Sequence, residues 1–275
     1  MAWSRVIELS VGSDGSGLDM SGLHVDFRIE RSISVAQQRA EFTVYNAKEE
    51  TRKEVLRSGN NVVFRAGYED EGLGTLFIGS IIDAQSQKRD RDWRTTINAA
   101  ALRGQSTALA RTNVALSYAP GTELAAVIGD IGTALGLVVF GQAQARIALP
   151  NGLVFAGNAR RALAYAEEIL VNNGAGLYVD NGEIVIYRDG EQQSGEFGST
   201  LLDYDTGLLS VEDITEAGDQ RRRVRFRTLL IPKLQPNGLI TVRTERVSGT
   251  FIIERVAFSG SNYGESFIAE GEAVA

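Results

Sequence analysis

A chain of 275 residues with 28 basic and 35 acidic side chains carries a formal charge of −7, and with 43% apolar residues it can bury two or three modest domains. The absence of cysteine removes disulfides, thiol catalysis, zinc fingers and iron–sulfur ligation, while the single histidine, His24, excludes multi-histidine metal sites and leaves any serine-type triad one residue to rely on. Thirty glycines against four prolines point to many tight turns and away from an all-helical or collagen-like chain.

Residues 1–107 read as strands. In Val25-Asp26-Phe27-Arg28-Ile29-Glu30 the apolar residues fall at every second position, the period of a half-buried strand. The same alternation recurs at Phe42 and Val44, at Val62, Phe64, Ala66 and Tyr68, at Leu76 and Ile78, and at Trp93, Thr95, Ile97 and Ala99. Five or more such strands tend to close into a barrel or pack as a sandwich, because open edges invite aggregation. One short polar helix is expected within this block, from Ala47 to Leu56, capped by Asn46 and stopped at Ser58-Gly59; it suits the cover of a barrel end.

The pattern changes after Arg111. Thr122 is expected to cap a helix whose inward face is Leu124, Val127, Ile128, Ile131 and Leu135 and which stops at Gly136. A second helix is predicted over Ala159–Asn172, with Leu163, Ala166, Ile169 and Leu170 inward and Arg160, Arg161, Glu167 and Glu168 outward. In Gly176–Tyr187 the pair Asn181-Gly182 supplies the two positive-φ residues of a type I′ hairpin. Residues 108–204 therefore read as a small inserted α/β domain.

Strands return from about residue 208, at Val224–Ile231, Leu239–Arg243, Thr250–Phe258 and Glu265–Glu270, separated by turn-rich segments at 232–238 and 259–264. The chain thus reads β, then α/β, then β, without a short-period repeat. No apolar run approaches the roughly 20 residues of a membrane helix, and the opening MAWSRVIELS lacks a long apolar stretch, so a soluble product without a secretion address is expected.

Chemistry-bearing residues are sparse. His24 opens the first alternating strand without a nucleophile–acid pattern around it; it is either a general base or a hydrogen-bonding residue at a strand end. Asp203 and Asp205 offer a carboxylate pair if their segment is a strand, and an acidic turn otherwise. Gly129-Asp130-Ile131-Gly132 lies inside a helical pattern and Gly12–Gly17 resembles a hairpin loop, so neither reads as a phosphate cradle. The most distinctive cluster is Arg221-Arg222-Arg223-Val224-Arg225-Phe226-Arg227. On a strand, Arg221, Arg223, Arg225 and Arg227 would share one face above an apolar underside of Val224 and Phe226. Nucleic-acid contact is one reading of that stripe, against which the acidic whole argues. Pairing with the upstream acids Glu212, Asp213, Glu216 and Asp219, or across a subunit interface, is the other and the one preferred.

Taken in order, three segments resemble the baseplate or tail hub proteins of long-tailed bacteriophages and related contractile injection systems: Ala40–Asn46 followed by Glu49–Arg52, Val63–Tyr68, and Thr75–Ile81. The likeness continues through Asn151–Gly157 with Arg160-Arg161, the Val179–Glu183 hairpin and Leu229–Pro236. It implies a mainly β fold with two tube-type β-barrel domains plus a small α/β domain: residues 1–107 as the first barrel, 108–204 as the insertion, and 205–275 as a second barrel region able to share strands with the first. It further implies a non-enzymatic homotrimer in the virion's tail baseplate. Three chains would form a pseudo-sixfold ring joining the tail tube protein to a trimeric spike protein, with other baseplate subunits around it, no cofactor or metal, and DNA only in transit through the lumen. An anionic wall would repel that DNA. The alternatives are a tail-tube or distal-tail protein of sixfold symmetry, and a phage-associated glycan or peptidoglycan hydrolase using Asp203 and Asp205.

Overall fold

Val25, Phe27 and Ile29 are buried while Arg28 and Glu30 between them face solvent, so the alternation legible in the sequence sets one face of a strand against a core. The computed structural model to which this strand belongs describes residues 4–13, 16–33, 38–56, 60–101, 112–188, 190, 199–218, 220–264 and 266–275.

The first segment contributes β1 (Arg5–Ser13), β2 (Ser16–Asp19), β3 (Val25–Ser32), β4 (Arg39–Tyr45), helix α1 (Glu49–Val55), β5 (Asn61–Tyr68), β6 (Gly72–Arg89) and β7 (Asp92–Ala100). The middle segment holds β8 (Asn113–Tyr118), α2 (Leu124–Leu135), β9 (Val138–Phe140), β10 (Leu153–Asn158), α3 (Ala159–Val171), β11 (Ala175–Asp180) and β12 (Glu183–Arg188). The last provides β13 (Thr200–Leu202), β14 (Leu208–Asp213), β15 (Arg223–Leu229), β16 (Leu239–Arg243), β17 (Ser248–Ser261) and β18 (Phe267–Val274). The fold is mainly β. A 13-stranded sheet runs β14-β15-β18-β17-β3-β4-β7-β6-β5-β1-β2, with β16 added on β17 and β13 on β16.

Strands from the two ends of the chain meet where β3 pairs with β17, Ile29 opposite Phe258 and Glu30 opposite Ala257. Two long strands steer the sheet around its core. β6 pairs with β5 through its first half and with β7 through its second; one edge of β17 serves β16 and then β3. Each carries a bulge, between Ile81 and Asp83 and between Ile253 and Arg255, and bulges raise local twist and bend a strand. The result is a sheet curled on itself. Tyr68 of β5 and Phe267 of β18, far apart in strand order, meet edge to face with ring centroids 5.4 Å apart, and Phe27 bridges Phe64 at 4.7 Å and Phe267 at 5.7 Å. Arg5 of β1 lays its guanidinium over Phe267, 5.4 Å from the ring centre, and donates to the carbonyls of Ser261, Gly264 and Ser266.

The described residues form two apolar cores. One takes residues from both ends of the chain, from Ile7 to Ala101 and from Leu202 to Ala273; the other lies wholly within Val114–Ile186. In the second, α2 buries Leu124, Val127, Ile128 and Ile131, as its spacing predicts, and stops at Gly136 in the left-handed conformation, φ 68°. The Asn181-Gly182 pair, with φ of 46° and 86°, turns β11 into β12 as expected.

Local readings failed where a polar side chain found a partner other than the helix start. Asn46 does not cap α1; it sits at φ 54°, donates its amide to Asp92 at 2.9 Å and accepts the Trp93 N–H at 3.0 Å, tying the end of β4 to the start of β7. Lys48 occupies the cap position instead, without a side-chain bond. Thr122 turns its hydroxyl back to the Ala119 carbonyl, 2.8 Å, and Glu123 precedes α2. The unforeseen cap is Asn158, which accepts the Arg161 N–H at the start of α3, 3.0 Å. Leu76 and Phe77 are both buried, breaking strict alternation, because the β5–β6 register slips opposite Leu76 between Phe64 and Arg65. The expected stop at Ser58-Gly59 and the boundary near 107 lie outside the described residues.

Candidate functional site

β15 buries Val224, Phe226 and Thr228 and turns Arg223, Arg225 and Arg227 outward. Arg221 precedes the strand instead of extending the stripe. The neighbouring strands set acids against this row. Arg225 stands opposite Glu272 on β18 and Glu272 opposite Arg255 on β17; in the next row Arg227 faces Glu270, Glu270 faces Ala257, Ala257 faces Glu30 and Glu30 faces Arg39 on β4. A third row places Arg28 opposite Glu41. The outer face of β15, β18, β17, β3 and β4 is thus a checkerboard of guanidiniums and carboxylates.

Contacts follow the register. Arg225 reaches Glu272 at 2.9 Å, Arg227 reaches Glu270 at 3.1 Å and Arg223 reaches Glu254 at 2.8 Å, while Arg255 donates to the same Glu272 oxygen as Arg225. The hydrogen bond from Arg255, reinforced by that from Arg225, holds the Glu272 carboxyl below the usual glutamate range and raises the Arg255 guanidinium in return. Each exposed pair contributes at most about 1 kcal/mol, so the network fixes side-chain positions more than it holds the fold. Between the rows lies a groove of about 470 Å³, bordered by Arg39, Arg225, Arg255, Glu30, Glu270 and Glu272 among others.

The pairing partners differ from those nearest in sequence. Of the upstream acids, Asp213 binds Arg222 at 2.7 Å; hydrogen bonds from Thr215 first and Arg222 second hold its carboxyl at about 2. Glu212 stands opposite Arg225 on β14, Glu216 is exposed in the following turn, and Asp219 lies outside the described residues. The principal partners, Glu254, Glu270 and Glu272, come from β17 and β18, which follow β15 in the chain and are brought beside it by the sheet.

His24 sits at the start of β3, stacked on Tyr45 with ring centres 4.3 Å apart, its Nε2 3.0 Å from Ser261 Oγ and 3.2 Å from Asp26 Oδ1. Serine and aspartate therefore share one ring nitrogen, whereas a relay needs the acid on Nδ1 and the nucleophile on Nε2. Tyr45 donates to Asp26 at 2.7 Å, and that bond raises the phenol's pKa. The cluster ties β3, β4 and the end of β17 together. Asp203 and Asp205 are not on a strand: Asp203 accepts the Thr206 N–H at 2.8 Å in a tight turn closed by Gly207 at φ 95°, the acidic turn that is the plainer reading of the sequence.

What local sequence reading missed is the attachment of the α/β unit. Arg31 of β3 forms a two-toothed ion pair with Asp180 at the end of β11, its Nε 3.1 Å from Oδ1, with side chains only 4% and 10% exposed. Asn181 Oδ1 accepts the Ile78 N–H of β6 at 2.9 Å, and the Tyr178 hydroxyl donates to the Pro236 carbonyl at 3.1 Å. One signal was present. Arg31 falls on the inward phase of Val25, Phe27 and Ile29, where a charge requires a buried partner. Among the described residues no cluster of metal-ligating side chains occurs, and no helix is long and apolar enough to cross a membrane.

A family model described as Baseplate hub gp41 matches residues 6–273. Among solved structures, a tail protein from Neisseria meningitidis MC58 superposes with a TM-score of 0.68 at 11% identity, covering 98% of this chain and 97% of that one. The 43 kDa tail protein of prophage MuSo2 from Shewanella oneidensis gives 0.68 at 12% identity, covering 98% of each chain. The E. coli c3393 protein, described as a type VI secretion component structurally similar to T4 bacteriophage tail proteins gp27 and gp5, gives 0.64 at 12% identity over 91% of this chain and 73% of that one. Among curated protein sequences there is no significant match. The structural likenesses establish a shared fold; the family match covers nearly the whole chain.

Proposed function

Because this chain belongs to the baseplate hub gp41 family, whose place is the tail baseplate of the virion, we propose that it is the homotrimeric, non-enzymatic adaptor between a sixfold tail tube and a trimeric central spike. The observation that carries this reading is the curled sheet, in which strands from the two ends of the chain join at β3 and β17 around one core. We read its two portions, residues 1–107 and 205–275, as two tube-type barrel units, so that three chains present six similar faces to the tube. The α/β unit, clamped from one side by Arg31, Ile78 and Pro236, is free to meet other baseplate subunits outside the ring.

In this reading the basic row of Arg223, Arg225 and Arg227, with Arg221 just ahead of the strand, belongs to a subunit interface, and its interleaved glutamates suit a protein partner better than a phosphate backbone. DNA crosses the lumen without a binding site, in keeping with the net charge of −7. The test is the symmetry of the assembled ring in electron micrographs of tails, with native mass measurement of the purified chain. Three copies on the central axis support the adaptor; six copies replace it with a tube or distal-tail protein, and absence from the axis removes both. Release of cell-wall fragments by the pure chain would reject the non-enzymatic role.

A further inference from the structure

The charged groove is not electrically balanced. Five arginines and three glutamates line it. Arg31 is neutralised by Asp180 and Arg28 by Glu30, whereas one carboxylate, Glu272, serves both Arg225 and Arg255. Arg39 is exposed and has no ionic partner among the described residues. With Asp180 counted, five arginines stand against four carboxylates there, so in a chain of net charge −7 the groove lining itself keeps one excess positive charge, at Arg39.

The opposite feature lies on another part of the same chain. The β5–β6 hairpin ends in Glu69-Asp70-Glu71, three consecutive exposed acids, none in an ion pair among the described residues. The tip is well formed: the Glu69 N–H donates to Ser4 and the Glu71 N–H to Tyr68. A chain cannot bring its own tip to its own groove. Tyr68, immediately before the tip, packs inside the sheet on Phe267, which pairs with Gly260. The groove lies on the outer face around the Arg255–Glu272 pair, five residues and so roughly 17 Å further along the same strands.

We propose that the groove receives the Glu69-Asp70-Glu71 hairpin tip of a second copy of this chain, a head-to-tail contact that closes into a ring by rotation. This rests on the trimeric hub reading and names the surfaces that would build it. Carboxylates of the tip meet Arg39 and the shared Arg225–Arg255 pair, and Asp70 N–H, the tip amide not used within the hairpin, faces the groove's glutamates. A nucleic acid would bring an unbroken run of phosphates past Glu30, Glu270 and Glu272, whereas the tip presents three carboxylates at one point, where Arg39 stands.

The full-length chain, free of cysteine, allows a direct test. Asp70→Cys and Arg39→Cys variants are mixed and oxidised at low salt, and the expected product is the mixed disulfide between one of each. Asp70→Lys and Arg39→Glu, each alone, should weaken self-association about tenfold; equal mixing of the two should restore pairwise association, since each mixed contact is either native or charge-swapped on both sides, and the double variant should regain it alone. Only like-with-like disulfides, association indifferent to both reversals, a chain monomeric at every concentration, or an oligonucleotide held by Arg39 would overturn the contact. A threefold ring in tails that ignores both reversals sinks this contact and keeps the hub; mixed disulfides from a chain absent from the tail axis do the reverse.

Discussion

Arg31 and Asp180 stand 149 positions apart, yet their side chains meet as a buried, doubly hydrogen-bonded pair that joins the main sheet to the α/β unit. Removing either partner leaves a charge stranded away from water, whereas replacing both with apolar residues of similar volume removes the desolvation cost along with the attraction. Arg31→Ala is therefore expected to lower stability by about 3–5 kcal/mol, and Arg31→Met with Asp180→Leu to recover most of that loss. Denaturant unfolding followed by tryptophan fluorescence and circular dichroism measures both. Equal destabilisation by the single and double variants would show that the loss comes from the pair's own attraction and not from a stranded charge.

Glu272 supplies a pH dependence. Its carboxyl titrates below the ordinary glutamate value of 4.5 because Arg255, and then Arg225, hydrogen-bond the charged form. A group whose folded pKa is depressed stabilises the fold above its unfolded value and loses that contribution as pH falls through the folded one. Glu272→Gln should thus leave a smaller fall in stability below pH 4.5 than the unsubstituted chain shows, by less than about 1 kcal/mol given the pair's partial exposure. Urea midpoints measured from neutral pH downward decide it, and an unchanged acid limb would place the pH dependence elsewhere.

How far the chain announces its own structure depends on the distance over which each residue acts. The inward run Val25, Phe27 and Ile29, the Asn181-Gly182 turn and the Gly136 helix stop are short-range features, and each forms as its spacing requires. The same holds for the outward set of Arg223, Arg225 and Arg227. Their partners are another matter, since Glu254, Glu270 and Glu272 reach them only through the β15-β18-β17 order. Asn46 looks like a helix cap because local sequence records which hydrogen bonds a side chain can make and not which a neighbouring strand will offer, whereas Thr122 loses the cap to a competing local bond, to the Ala119 carbonyl. Of the candidate site, then, the arginine face was legible and its acidic half was not.

Gly271 shows how closely that face rests on the core. It lies between Glu270 and Glu272 and opposite Phe226; a Cβ there would stand 2.5 Å from the ring's Cζ and 2.7 Å from the Arg255 carbonyl oxygen. The ring occupies the space that the missing side chain leaves, so Gly271→Val forces either the ring or the β17–β18 pairing to move. Overpacking of this kind costs about 1–3 kcal/mol and should also loosen the Arg225–Glu272–Arg255 contact above it. Gly129 is the contrasting case, inside α2 with open space around the added carbon; Gly129→Ala should stabilise the chain by about 0.5–1 kcal/mol through lost unfolded-state freedom. Thermal unfolding of the two variants checks the pair. If Gly271→Val proved as stable as the parent chain, the Phe226 ring would have room that these distances deny it, and the charged face would be less firmly seated than its register implies.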